Sequence, residues 1–196
     1  MLLCLFTVPI LAKNTILIVG DSISAGFGID PQKGWVMLLQ QRLQEKKYAY
    51  QVVNSSISGD TTSNGLNRLP AMLQQYHPQI TIIELGGNDG LRGLPLNVIK
   101  QNVASMISLA KKAGSKVLLL GVRLPPNYGP QYTQLFRQLF VNLAKEESVN
   151  LVPLFLNHVD DNPQLMQVDG IHPKEEAQVI LLNNVWPILE KLISDK

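Results

Sequence analysis

Cysteine is almost absent from this chain: the single one, Cys4, lies in an apolar leader. No intramolecular disulfide can form, and no thiol nucleophile is available in the body of the domain, although this count leaves the redox compartment open. Charge is sparse as well. Seventeen basic and fifteen acidic side chains leave a formal net charge of +2, with no basic run to lie along a phosphate backbone. A nucleic-acid partner is therefore not expected. Internal repeats and low-complexity stretches are missing too. What is plentiful is apolar side chain, 45% of the 196 residues, enough for one sizeable core and a single domain over residues 13–196.

Residues 1–12 are apolar except for Thr7 and stop at Lys13. The run reads as the remnant of a signal-peptide hydrophobic region, which makes the expected location periplasmic or secreted. No basic segment precedes it, and Ile10 with Ala12 matches a small-residue cleavage site only in part. Twelve residues are too few to span a bilayer, so no stable membrane span is expected in the mature protein.

Strand and helix signals alternate along the rest of the chain. Apolar, β-rich runs predict strands at Thr15–Val19, Tyr50–Val53, Ile80–Leu85, Lys116–Leu120 and Asn150–Leu154. Helical spacing of apolar residues predicts helices at Gly34–Glu45, Thr61–Leu73, Leu96–Lys112, Gln131–Glu147 and Lys174–Leu192, the last interrupted or bent at Pro187. The alternation implies a flavodoxin-like three-layer α/β/α sandwich around a five-stranded, mainly parallel sheet. In such folds the functional groups gather beyond the carboxyl ends of the strands. The polar segments there are Asp21-Ser22, Ser58-Gly59-Asp60, Gly86-Gly87-Asn88-Asp89, Arg123, and finally Asp169 with His172.

A serine hydroxyl becomes a nucleophile when a base takes its proton, and that base is usually a histidine oriented by a carboxylate. Of three histidines, His77 precedes a proline at the opposite end of the sheet, and His158 follows the fifth strand near Asp160 and Asp161. His172 is the better candidate, because in Asp169-Gly170-Ile171-His172-Pro173 a carboxylate precedes the imidazole by three residues in a turn. Taken singly, Ser22 and Asp169 are also good capping residues, and Pro173 suits the first turn of a helix. Together they supply a nucleophile, a base and an orienting acid. Donors for an oxyanion are available from the backbone N–H of Ser22, the unobstructed N–H of Gly59 and the amide of Asn88. Glu84, inside an apolar strand, reads as a buried structural carboxylate.

Four ordered blocks, Gly20-Asp21-Ser22-Ile23, Gly59 within Ser56-Ile57-Ser58-Gly59-Asp60-Thr61, Gly87-Asn88-Asp89 and Asp169-Gly170-Ile171-His172-Pro173, resemble the GDSL or SGNH hydrolases. Within them the likeness is to the bacterial thioesterase/lysophospholipase/arylesterase type, over Thr15 to the end of the chain. The resemblance implies a serine esterase with Ser22 as nucleophile, Asp169 and His172 completing a triad, and Gly59 and Asn88 completing an oxyanion hole. It further implies a mobile loop over an acyl groove at Gly90–Pro95, faced by Val122–Gly129. Ile23, Gly87, Leu91, Arg123, Leu124 and Pro125 would then touch a small-molecule or lipid ester.

Other chemistries lack their signatures. Ser24 stands where a lipase elbow has its second glycine, Gly20, Gly26 and Gly28 are not spaced for a dinucleotide, and no His-x-x-x-His pair exists. Neither cofactor nor metal is expected, and a monomer is the working assumption. The alternatives are a carbohydrate or cell-wall O-deacetylase of the same fold and a non-catalytic lipid-binding protein.

Overall fold

The three central strands of the sheet are buried on both faces, as their continuous apolar runs require. In the computed structural model, which describes residues 14–194, the five strands are β1 (Asn14–Gly20), β2 (Tyr50–Asn54), β3 (Ile80–Glu84), β4 (Lys116–Leu120) and β5 (Asn150–Val152). The expected leader, residues 1–12, lies outside the described residues. All neighbours pair in parallel, in the order β2-β1-β3-β4-β5.

Side chains of a strand alternate between faces, and β1 shows what that accomplishes. Ile16 and Ile18 pack beneath α2 (Trp35–Glu45) and α7 (Gln178–Ser194). Leu17 and Val19 face the other way, towards α3 (Thr62–Tyr76), α5 (Leu96–Lys112) and α6 (Pro130–Glu146). All four β1 side chains are fully buried, each worth about 2 kcal/mol in apolar surface removed from water. Two short helices complete the chain at the sheet edge, α1 (Ser22–Ala25) and α4 (Gly87–Leu91).

The structure corrects several expected boundaries. β5 ends at Val152 rather than Leu154 because Pro153 has no N–H to continue the ladder. The Gly86–Asp89 stretch, expected as a loop, enters α4 at Gly87. Pro173 does not open a helix: it forms an isolated bridge with Met166, and a 3-10 turn at Glu175–Ala177 precedes α7. Nor does Pro187 interrupt α7, which runs unbroken through it. Buried Leu181, Val185, Leu189 and Leu192 hold that helix against the sheet, enough to offset a proline cost of about 3 kcal/mol.

Strand order reverses direction between β1 and β3, the switch point at which an open parallel sheet forms its crevice. Gly20 pairs in register with Glu84. The segments that leave those two strands, carrying Ser22 and Asn88, therefore emerge side by side.

Candidate active site

Ser22 is the first residue of α1, the turn that ends β1. Asp21 caps this turn by accepting from the Ile23 N–H at 3.0 Å, and Asn54 Nδ2 donates to the Ser24 carbonyl at 2.8 Å. Behind it the Ser24 hydroxyl donates to Glu84 Oε2 at 2.7 Å and accepts from Trp35 Nε1 at 3.3 Å. The serine thus stands on a turn fixed from three other elements.

His172 arrives from 150 residues away, on a turn closed by the Met166–Pro173 bridge and by the Gln167 N–H on the His172 carbonyl. Its Nε2 lies 2.8 Å from Ser22 Oγ, and its Nδ1 lies 2.7 Å from Asp169 Oδ2. The other Asp169 oxygen accepts from the backbone N–H groups of Ile171 and His172 at 2.9 and 3.0 Å. One carboxylate therefore both shapes the turn and orients the ring, so the capping and catalytic readings of Asp169 are not exclusive. Partial burial pushes its carboxyl up, but the His172 and Ile171 N–H groups and the imidazole outweigh that and bring its pKa down to about 2. It is anionic wherever the imidazole needs a partner.

Across the serine, Asn88 Nδ2 donates to the Asp60 carbonyl at 3.0 Å and to Asp21 Oδ2 at 3.3 Å. Gly59 has φ +83°, a conformation that L side chains rarely adopt, and a Cβ there would meet no protein atom within 4 Å. Its glycine is therefore demanded by the backbone rather than by crowding from protein. Among the described residues, neither the Gly59 nor the Ser22 N–H has an acceptor. His77 and His158 are exposed and away from this cluster, and Asp89 is turned to α3, accepting from Thr62 N and Oγ1.

Beneath the serine two buried carboxyls, Asp21 and Glu84, lie together. Burial and the charge of Asp21 push Glu84 well above the ordinary range. Burial likewise raises Asp21 to about 6, opposed by the Ile23 N–H and by His172. Two such groups cannot both be ionised cheaply. Glu84 Oε1 has no hydrogen-bond partner, which a neutral carboxyl tolerates better than a carboxylate. Glu84 is the protonated partner and Asp21 the one that ionises.

A groove of about 780 Å³ opens beside Ser22 and His172. Ile23, Gly87, Leu91, Arg123, Leu124 and Pro125, the six expected contact residues, all line it. The Arg123 guanidinium is not free, being held by both oxygens of Asp160. The Gly90–Pro95 loop is tethered: Tyr128 and Tyr132 donate their hydroxyls to the Leu91 and Leu94 carbonyls, each at 2.9 Å. At Gly90 a Cβ would lie 2.7 Å from Leu124 and 2.8 Å from Phe136. Its small size serves close packing, which the loop reading did not anticipate.

The model of the GDSL-like lipase/acylhydrolase family matches residues 18–180. The chain belongs to this family. Esterase TesA of Pseudomonas aeruginosa is 53% identical over 182 residues, 93% of this chain and 90% of that protein. Thioesterase 1/protease 1/lysophospholipase L1 of Escherichia coli K12 is 42% identical over 192 residues, 98% and 91% of the two chains. A solved structure of TesA superposes with a TM-score of 0.90 at 54% identity, covering 91% of this chain and 99% of that one. This GDSL-family chain is a serine ester hydrolase.

Sequence reasoning left parts of the family site unread. Leu156, Asp160 and Met166 line the groove but sit on loops without any local signature. Phe27 lies against His172, with ring centroids 4.5 Å apart. Its one signal was an aromatic between two glycines, Gly26-Phe27-Gly28. Among the described residues no group of three or more metal-ligating side chains is placed to hold a metal ion, and no helix is long and apolar enough to cross a membrane.

Proposed function

We propose that Ser22 is the nucleophile of a two-step hydrolysis of carboxylic esters and thioesters. The observation that carries this reading is the continuous chain Ser22 Oγ–His172 Nε2–His172 Nδ1–Asp169, with links of 2.8 and 2.7 Å. His172 takes the Ser22 proton as Oγ bonds to the carbonyl carbon, and the carbonyl electrons move to its oxygen. The Ser22 and Gly59 N–H groups, with Asn88 Nδ2, stabilise that oxyanion. Collapse of the intermediate breaks the bond to the leaving oxygen or sulfur, which receives the proton from His172. Water, deprotonated by the same imidazole, then attacks the acyl-Ser22 ester and releases the free acid.

The acyl chain lies in the groove, whose wall offers Ile23, Leu91, Val122, Leu124, Leu156 and Met166. This lining favours aryl esters, acyl thioesters and lysophospholipids over a polar glycan, so O-deacetylation of cell-wall sugar is the weaker reading. A non-catalytic lipid binder would have no use for an imidazole held between a serine and a carboxylate. The working form is a single-domain monomer exported to the periplasm after loss of residues 1–12. Mass spectrometry of the exported protein tests that cleavage, with an intact Met1 counting against it.

Ser22→Ala should abolish turnover of every ester and thioester while leaving the circular dichroism spectrum and melting unchanged. A serine-reactive phosphonate should add one label per chain, on the peptide containing Ser22. Retained activity in Ser22→Ala, or labelling elsewhere, would overturn the assignment.

A further inference from the structure

The proposed reaction uses one side of His172 for the acyl chain and leaves the other unexplained. Phe27 lies against the His172 ring and outside the groove lining. Its ring is tilted 39° to the imidazole at 4.5 Å between centroids, and it is not among the residues lining the groove. Its solvent exposure, 50%, is unusual for so large an apolar side chain. Gly26 and Gly28 on either side carry no side chains that could cover it.

The ring is nevertheless held in place. The Phe27 N–H donates to the Ser22 carbonyl at 3.0 Å, and the Phe27 carbonyl accepts from Gln167 Nε2 at 2.8 Å. That same nitrogen donates to the Pro173 carbonyl at 3.1 Å, so one amide ties Phe27 to the turn carrying His172. The Gln167 amide passes directly over Gly28, where a Cβ would collide with it. A fixed backbone presenting a half-bare aromatic ring is poor packing but a good platform.

We propose that Phe27 forms the leaving-group subsite and selects esters whose leaving group is an aromatic ring. The inference rests on Ser22 and His172 acting as described above. For His172 Nε2 to protonate the leaving oxygen, that oxygen must sit at the imidazole edge. With the acyl chain in the groove, the substituent on the leaving oxygen is left at the imidazole edge, where the half-exposed Phe27 ring lies outside the groove lining. A planar ring can lie offset on Phe27, an arrangement that a short alkyl group cannot match. Phe27 selects substrate and takes no part in bond making.

The test holds the acyl group constant and varies the leaving group. Phenyl, 2-naphthyl and ethyl butanoates are compared in wild type, Phe27→Ala and Phe27→Tyr, with active sites counted by phosphonate titration. Comparing variant with wild type on each ester cancels the leaving group's own reactivity. Phe27→Ala should lower kcat/KM for the phenyl and naphthyl esters about three- to tenfold and for the ethyl ester less than twofold. Phe27→Tyr should restore the aryl preference. The acyl-chain profile on phenyl esters and the pH profile should both be unchanged. An equal loss on all three esters would show that Phe27 only supports His172, and no loss on the aryl esters would equally overturn the proposal. No ester turnover by the wild type would overturn the reading of Ser22 and this subsite together.

Discussion

Asn88 Nδ2 lies 3.3 Å from the Asp21 carboxylate, and its other partner is the Asp60 carbonyl at 3.0 Å. The residue preceding the proposed nucleophile therefore helps to aim the amide proposed as an oxyanion donor, which follows a different strand. Both hydrogens of that amide are engaged before any substrate arrives, so an oxyanion must share or displace the Asp21 contact. Asn88→Ala should lower kcat about a hundredfold or more with a small change in KM. Asn88→Asp should be worse, because a carboxylate there faces Asp21, the Asp60 carbonyl and the developing oxyanion. Steady-state kinetics on a single aryl ester separate the two variants, and equal losses would argue against Asp21 as the group that faces Asn88.

The same carboxylate makes stability depend on pH. Asp21 has a folded pKa of about 6 against an ordinary 3.8, so folding is penalised once the unfolded chain ionises there. The penalty is absent below about pH 4, grows as pH rises to about 6 and persists above it. Asp21→Asn should therefore unfold at a higher urea concentration than wild type at pH 8, with the difference vanishing near pH 4. The depressed pKa of Asp169 works in the opposite direction, but it is common to both proteins and cancels in the comparison. A difference that did not change between pH 4 and 8 would refute burial as its origin.

Gly59 adopts φ +83° with open space where a Cβ would project. Gly59→Ala should cost about 1 kcal/mol in stability from the backbone conformation, read as a lower denaturation midpoint. Gly59 is proposed as an oxyanion donor, so the altered backbone should lower kcat by more than the stability loss would suggest.

Tyr128 and Tyr132 hold the Leu91 and Leu94 carbonyls at the rim of the groove. Replacing both by Phe should speed amide hydrogen exchange across residues 90–95 about fivefold or more, from a net loss of about 1 kcal/mol per hydrogen bond. The chain-length preference for the acyl group should broaden in parallel. Unchanged exchange would mean that the packing of Gly90 on Leu124 and Phe136 is sufficient to hold the segment.

Much of this was legible from local pattern. Continuous apolar runs marked the β1, β3 and β4 strands because a parallel sheet covered on both faces buries nearly every side chain. The errors fell where a local rule met a tertiary force. Pro187 lies within α7 because the buried face of that helix outweighs the missing hydrogen bond. Crowding of Gly90 by Leu124 and Phe136, distant in sequence, left no local trace either.

The chain by itself determined the element order, the apolar faces and the residue types at Ser22, Gly59, Asn88, Asp169 and His172, since each depends on spacing along a single segment. Tertiary structure alone decided that Ser22 and His172, 150 residues apart, meet at 2.8 Å, because the reversal of strand order between β1 and β3 opens the crevice that receives both. It alone decided that Asp21 and Glu84 share one buried space, through the register that pairs Gly20 with Glu84. It alone left the Phe27 ring half bare against the imidazole. Contacts of that kind depend on the packing of whole layers, and no periodicity within one segment encodes them.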